Sequence, residues 1–156
     1  MAIVSPSRTA SAALCRVAAG AAELEAHFAV RRAIFVEAQA LFADDDRDEW
    51  DSAPETLHAV GLVDGAVAGA VRLYPLGDGL WKGDRLAVLP GARVQRLGGE
   101  LVRFAVRTAG ERGGQEMVAQ IQLPNVRFFE HLGWRADGPA GEYHGVMHQP
   151  MAIPLR

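Results

Sequence analysis

Several things are scarce in this chain of 156 residues. Cysteine occurs once, as Cys15, so no internal disulfide or cysteine metal cluster can form and nothing points to an oxidising compartment. No apolar run approaches the roughly 20 residues that a membrane helix needs. A basic excess is also missing. The 16 Lys and Arg against 19 Asp and Glu leave a net charge of -3, without the clustered cations that draw a protein to nucleic acid or anionic lipid. A small-molecule partner is therefore expected, and neither nucleic acid nor membrane. His27, His58, His131 and His144 lack any spacing that suits a metal, and no metal is expected. Tyrosine is limited to Tyr74 and Tyr143.

What is present is an ordinary globular composition, 49% hydrophobic and 22% charged, enough to bury a core. The opening MAIVSPSRTASAALCRVAAGAA holds small apolar residues, but Arg16 breaks the run of about 7 to 15 that an export signal requires. Residues 1–13 read as a disordered lead-in and 14–156 as one domain, with the cytoplasm as the default location. A first strand is expected near Leu14 to Ala18. AELEAHFAVRRAIFVEAQALF then places Leu24, Phe28 and Phe35 on one helical stripe, leaving Glu23, Arg31 and Arg32 for solvent. ADDDRDEWD reads as a solvated loop or short helix, too acidic to pack as it stands. Its Asp44, Asp45, Asp46, Asp48, Glu49 and Asp51 could steer a cationic amine.

Two β-type runs meet at Asp64-Gly65, the dipeptide that favours a tight hairpin. LWKGDRLAVL is a further strand, stopped by Pro90-Gly91. Leu97, Leu101 and Phe104 then mark a helix, Met117, Ala119 and Ile121 alternate in a half-buried strand, and NVRFFEHLGW is a short helix between Asn125 as N-cap and Gly133 as stop. This order implies a mixed sheet covered by helices.

RLAVLPGARVQRLGGEL joins a strand to a helix through a turn that ends in Gly98-Gly99. The first turn of a helix offers N–H groups without internal partners, and missing side chains let an anion approach the backbone. The stretch is neither a P-loop nor a GxGxxG turn. VLPGARVQRLGGEL resembles motif A of the GNAT N-acetyltransferase superfamily, with Arg93 in the first position of the pattern, Gly98 in the last, and Arg96 where a glycine is usual. QLPNVRFFEHLGW resembles the family's motif B. RRAIFVEAQALF and EYHGVMHQPM look like the first helix and final strand of one GNAT subgroup, so the resemblance spans about residues 14 to 153.

The resemblance implies an α/β (α+β) fold with a splayed, mixed sheet of about six to seven strands, and coenzyme A in the gap between the Leu86–Leu89 and Met117–Gln122 strands. It places the coenzyme on Leu86, Ala87 and Val88, on Arg93, Val94, Gln95, Arg96, Leu97, Gly98 and Gly99 in the turn, and on Asn125 and Phe129. The pyrophosphate would sit on backbone N–H groups between Val94 and Gly99. In this family an amine attacks the thioester directly, so the nucleophile, with a pKa of roughly 10, must give up a proton. Glu37, Asp84 and His148 are the candidate bases. Where motif B usually carries the tyrosine that protonates the leaving thiolate, this chain has Phe129, and Tyr143 is the candidate substitute. Trp50 and Trp81 are considered for an acceptor pocket or the core.

The function implied is transfer of acetyl from acetyl-CoA to a primary amine of a small molecule or peptide, and a homodimer is compatible with it. Two rivals stand beside it. Phe129 and Arg96 also suit a non-catalytic acyl-CoA-binding or regulatory domain, and VRRAIFVEAQ suits an acyltransferase with another donor, similar to acyl-homoserine-lactone synthases.

Overall fold

Asp64 and Gly65 both take left-handed backbone, with φ of 52° and 84°, the pair of angles that a two-residue hairpin turn needs. They join β2 (Leu57–Val63) to β3 (Ala66–Gly77) in a computed structural model that describes residues 13–155, less the side chains of residues 93–95. The expected lead-in over residues 1–13 lies almost wholly outside the described residues. β1 (Leu14–Val17) precedes helix α1 (Gly20–Arg31), which runs on into a π-helical turn, Arg32–Ala38. β4 (Leu80–Val88), helix α2 (Leu97–Glu111), β5 (Glu116–Gln122) and helix α3 (Val126–His131) follow, then β6 (Arg135–Ala136), β7 (Gly141–Tyr143) and β8 (Val146–Pro154).

The strands form one mixed sheet in the order β1-β2-β3-β4-β5-β8-β6, with β7 paired to β8. The fold class is the expected one. Eight strands replace the expected six to seven because two very short strands, β6 and β7, line up against β8. Asn125 precedes α3 but makes no capping hydrogen bond, while Gly133, at φ 98°, ends that segment as expected.

Helix α2 covers one face. Leu97 and Leu101 are fully buried there, each worth about 1.5–3 kcal/mol of apolar transfer. Gly61 and Gly69 permit the approach, since a Cβ on either would stand 2.7 or 2.8 Å from those leucine side chains. Met117, Ala119 and Ile121 join this core from β5, as their alternation predicts. The opposite face holds a smaller core of Val30, Ile34, Phe35, Ala70 and Ala87.

On that second face two expectations are corrected. The buried side of α1 is His27, Val30 and Arg31, while Leu24 is 37% exposed. Arg31 has no exposure at all, because Nε donates to Asp46 at 2.7 Å and Nη1 to Asp51 at 2.8 Å. The acidic segment is likewise no solvated linker. Asp48 and Asp51 form a capping box at the 3-10 turn Glu49–Ser52, and Asp46 is buried. Trp50 stacks on Tyr74 at 4.2 Å and Trp81 lies in the α2-side core. Carboxylates and guanidiniums enter this interior together, and the attraction of each for the other offsets part of the cost of taking both out of water.

Candidate functional site

β4 and β5 pair in parallel for three rungs, Leu80–Lys82 with Glu116–Val118, and then separate. The separation begins where β4 carries a bulge. Arg72 pairs with Asp84 but Ala70 with Ala87, so β4 spends three residues against two of β3, and Arg85 takes φ 54° at that point. A left-handed arginine inside a strand is strained, of the order of 1–3 kcal/mol, and such strain collects at sites where a side chain is re-aimed.

Arg85 is re-aimed into a network on the α1 face. Its Nε and Nη2 donate to the Asp46 carbonyl at 3.0 and 2.9 Å, Nη2 also reaches Asp48, and Nη1 donates to the Tyr143 hydroxyl at 3.2 Å. Arg72 grips both oxygens of Asp84 at 2.7 Å and donates to Asp48 at 2.6 Å. Burial opposes the charge on Asp51, yet hydrogen bonds from His58 and Arg31 outweigh it and hold the carboxyl far below its ordinary range. On Asp48 burial is likewise outweighed, there by Arg72.

A cavity passes through the gap between β4 and β5. On the α1 face it is lined by Gln39, Phe42, Lys82, Asp84, Arg85, Gln120, Gln122, Tyr143 and His148, and towards α2 by Leu86, Val102, Ala105, Met117, Ala119, Ile121, Phe129 and Trp134. The first half carries most of the polar groups, beside the apolar Phe35, Leu41 and Phe42, and the second is apolar. Within the second, the Trp134 indole N–H is buried without a hydrogen-bond partner among the described residues.

Of the four catalytic candidates, Tyr143 and His148 both line this cavity, with ring centroids 5.1 Å apart. His148 is 4% exposed, and its Nδ1 lies 2.7 Å from the Val146 carbonyl. A carbonyl can only accept, so Nδ1 carries the proton and a neutral ring keeps its Nε2 lone pair free to take another. The Tyr143 oxygen accepts from Arg85, which leaves its own proton to donate. Asp84 lines the cavity too, but both its oxygens are held by Arg72 rather than by Arg85 or Lys82. Glu37 is not brought there. It stands 64% exposed beside Arg32 at 3.6 Å.

The turn after β4 is a 3-10 helix, Pro90–Gln95, followed by Arg96 in left-handed backbone at φ 60° and the start of α2 at Leu97. Arg96 thus adopts a conformation natural to the glycine that the motif usually has there, at a cost of about 1–2 kcal/mol for a residue with a Cβ. Leu86 and Asn125 line the cavity, Ala87 and Val88 are buried, and Leu97 offers backbone alone because its side chain is in the core. A coenzyme pyrophosphate fits this place on one observation. A Cβ on Gly98 would come no closer than 3.7 Å to protein and one on Gly99 no closer than 3.5 Å, so packing demands neither glycine, unlike Gly61 and Gly69. The space they leave adjoins the first turn of α2, where a helix has N–H groups without intrahelical partners.

The model of the acetyltransferase (GNAT) family matches residues 24–134. The chain belongs to that family. Membership carries acyl-CoA as the donor class. This GNAT chain is 27% identical over 113 residues to the uncharacterised N-acetyltransferase YjcF of Bacillus subtilis, covering 72% of this chain and 79% of the relative. A crystal structure described as an N-acetyltransferase from Lactobacillus plantarum superposes with a TM-score of 0.83 at 25% identity, over 93% of this chain and 99% of that one. The fold is shared further, at TM-score 0.72 and 20% identity, with the CoA-dependent acyl-homoserine lactone synthase BjaI, over 85% and 76% of the two chains.

Three residues of this GNAT cavity escaped sequence reasoning. Arg85 read as one more strand residue, since positive φ leaves no trace in an arginine. Trp134 read as the end of motif B. Lys82 had one visible signal, as the single lysine of the chain.

Proposed function

We propose that this chain is an N-acetyltransferase that moves acetyl from acetyl-CoA to a primary amine of a small molecule or peptide by direct transfer. The observation that carries the reading is the pairing, in one cavity across the splayed strands, of a histidine whose Nε2 and a tyrosine whose hydroxyl proton have no partner among the described residues. Bound acyl-CoA supplies a thioester, with its arm along Leu86, Ala87 and Val88, its pyrophosphate on the N–H groups between Val94 and Gly99, among them Gln95, Arg96, Leu97 and Gly98, next to Arg93, and its thiol end near Asn125 and Phe129.

His148 takes a proton from the acceptor ammonium and so frees the nitrogen lone pair for the carbonyl carbon. As the C–N bond forms and the C–S bond breaks, Tyr143 gives its proton to sulfur, and the second proton of the nitrogen restores the balance through solvent. The Arg85 guanidinium stabilises the phenolate that remains. Phe129 supplies apolar contact and no proton. Acetyl-CoA incubated with a panel of amino acids, amino sugars, polyamines and peptide N-termini tests the reading through thiol release and product mass. Tight CoA binding with no acetylated product would favour a non-catalytic domain.

A longer acyl donor is a second reading. The cavity's half towards α2 is apolar except for the unpartnered Trp134 N–H, an environment suited to an acyl chain with one acceptor atom. The ratio of kcat/KM for acetyl-, butyryl- and hexanoyl-CoA separates the two.

A further inference from the structure

We infer that Lys82 holds a carboxylate of the acceptor, which makes the preferred acceptor an amine that is also an acid, of the amino-acid kind. The inference deepens the transfer reading and rests on it.

Three side chains of fixed charge line the cavity, Lys82, Asp84 and Arg85. Two are answered from within the protein, Asp84 by Arg72 and Arg85 by Asp46 and Asp48. Lys82 has no carboxylate within 4.0 Å and no hydrogen bond among the described residues, although it is half-buried. An ammonium that lines a cavity with no anion beside it is a ready partner for a carboxylate entering with the substrate.

Position agrees with charge. Lys82 sits on the last rung between β4 and β5, opposite Val118, and alternation directs it to the same face as Asp84. Further along β5 on that face are Gln120 and Gln122, and Gln122 pairs with His148 of β8. Val118 and Gln122 are about 13 Å apart along the strand at roughly 3.3 Å per residue. The lysine stem and the imidazole close much of that distance. What remains suits a small molecule with its amine at His148 and its carboxylate at Lys82, and is short for an extended polyamine. The Gln120 amide stands between them as a further donor.

The acidic segment does not contradict this. Its composition suggests attraction for a cationic amine, but Asp46, Asp48 and Asp51 are bound to Arg31, Arg72 and Arg85. Asp44, Asp45 and Glu49 do not line the cavity, so among the described residues its lining offers an incoming acceptor a free ammonium and no free carboxylate.

The test compares leucine with isopentylamine, and phenylalanine with phenethylamine, each pair differing by the carboxylate alone. Wild type is expected to favour the acid in kcat/KM by at least about tenfold, the worth of one charge-assisted contact of about 1.5–3 kcal/mol. That ratio should collapse towards one in Lys82→Met through KM, invert in Lys82→Glu and persist in Lys82→Arg, with CoA affinity measured on each variant to establish folding. A wild-type ratio at or below one, or the same ratio in Lys82→Met, overturns the assignment. Binding separates it from the transfer reading. If no amine is acylated, calorimetry of N-acetylleucine against N-acetylisopentylamine on the CoA-saturated protein decides: tighter binding of the acid, lost in Lys82→Met, upholds the carboxylate site, and equal or absent binding overturns it.

Discussion

Arg85 and Tyr143 stand 58 residues apart in sequence, yet the guanidinium of one donates to the hydroxyl of the other at 3.2 Å. The bond turns the phenol oxygen into an acceptor and frees its proton for a leaving group. Tyr143→Phe is expected to lower kcat by about 10²-fold while CoA affinity stays nearly intact, the range for a general acid. An unchanged kcat would hand protonation of the thiolate to water.

Gly98 offers a second measurement. Its added Cβ meets no close protein atom, so Gly98→Glu should fold, while its carboxylate would oppose a pyrophosphate at the α2 N-terminus. Calorimetry should show CoA affinity reduced at least about tenfold, or 1.4 kcal/mol. Unchanged affinity in a folded variant would remove the coenzyme from this turn.

Asp46 is 1% exposed and faces both Arg31 and Arg85. Asp46→Ala leaves those guanidiniums short of a counter-charge and should cost about 3–5 kcal/mol in urea unfolding. Glu37→Ala removes the partner of an exposed arginine at 3.6 Å and should change stability by less than about 0.5 kcal/mol. Equal effects would mean that burial of the network contributes nothing.

His27 has no exposure, and burial pushes its pKa down to about 3. The unfolded chain takes up that proton near pH 6.5, so between these values the unfolded state binds more protons than the folded one. This contribution is complete above about pH 6.5 and is lost as pH falls, by about 1.4 kcal/mol per unit. Urea midpoints at pH 7.5 and 5 should show the decline, and His27→Gln should flatten it.

Much of the scaffold was legible in the residues themselves. Asp64-Gly65 turned where it should because left-handed angles cost Asp and Gly little, and Met117, Ala119 and Ile121 faced the core because strand periodicity is local. The motifs around Gly98-Gly99 likewise pointed to the family that the comparison shows.

Arg31 shows where such reading ends. On a helical stripe an arginine signals solvent, and what buries this one are carboxylates 15 and 20 residues further along, brought in by a chain reversal that no local pattern encodes. The same holds for the candidate site. Local preference determined the strands, helices and turns. The tertiary structure decided which charges cancel, leaving Lys82 alone in the cavity while Asp84 and Arg85 are answered, because electrostatic pairing depends on distance in space and the backbone period carries no record of it.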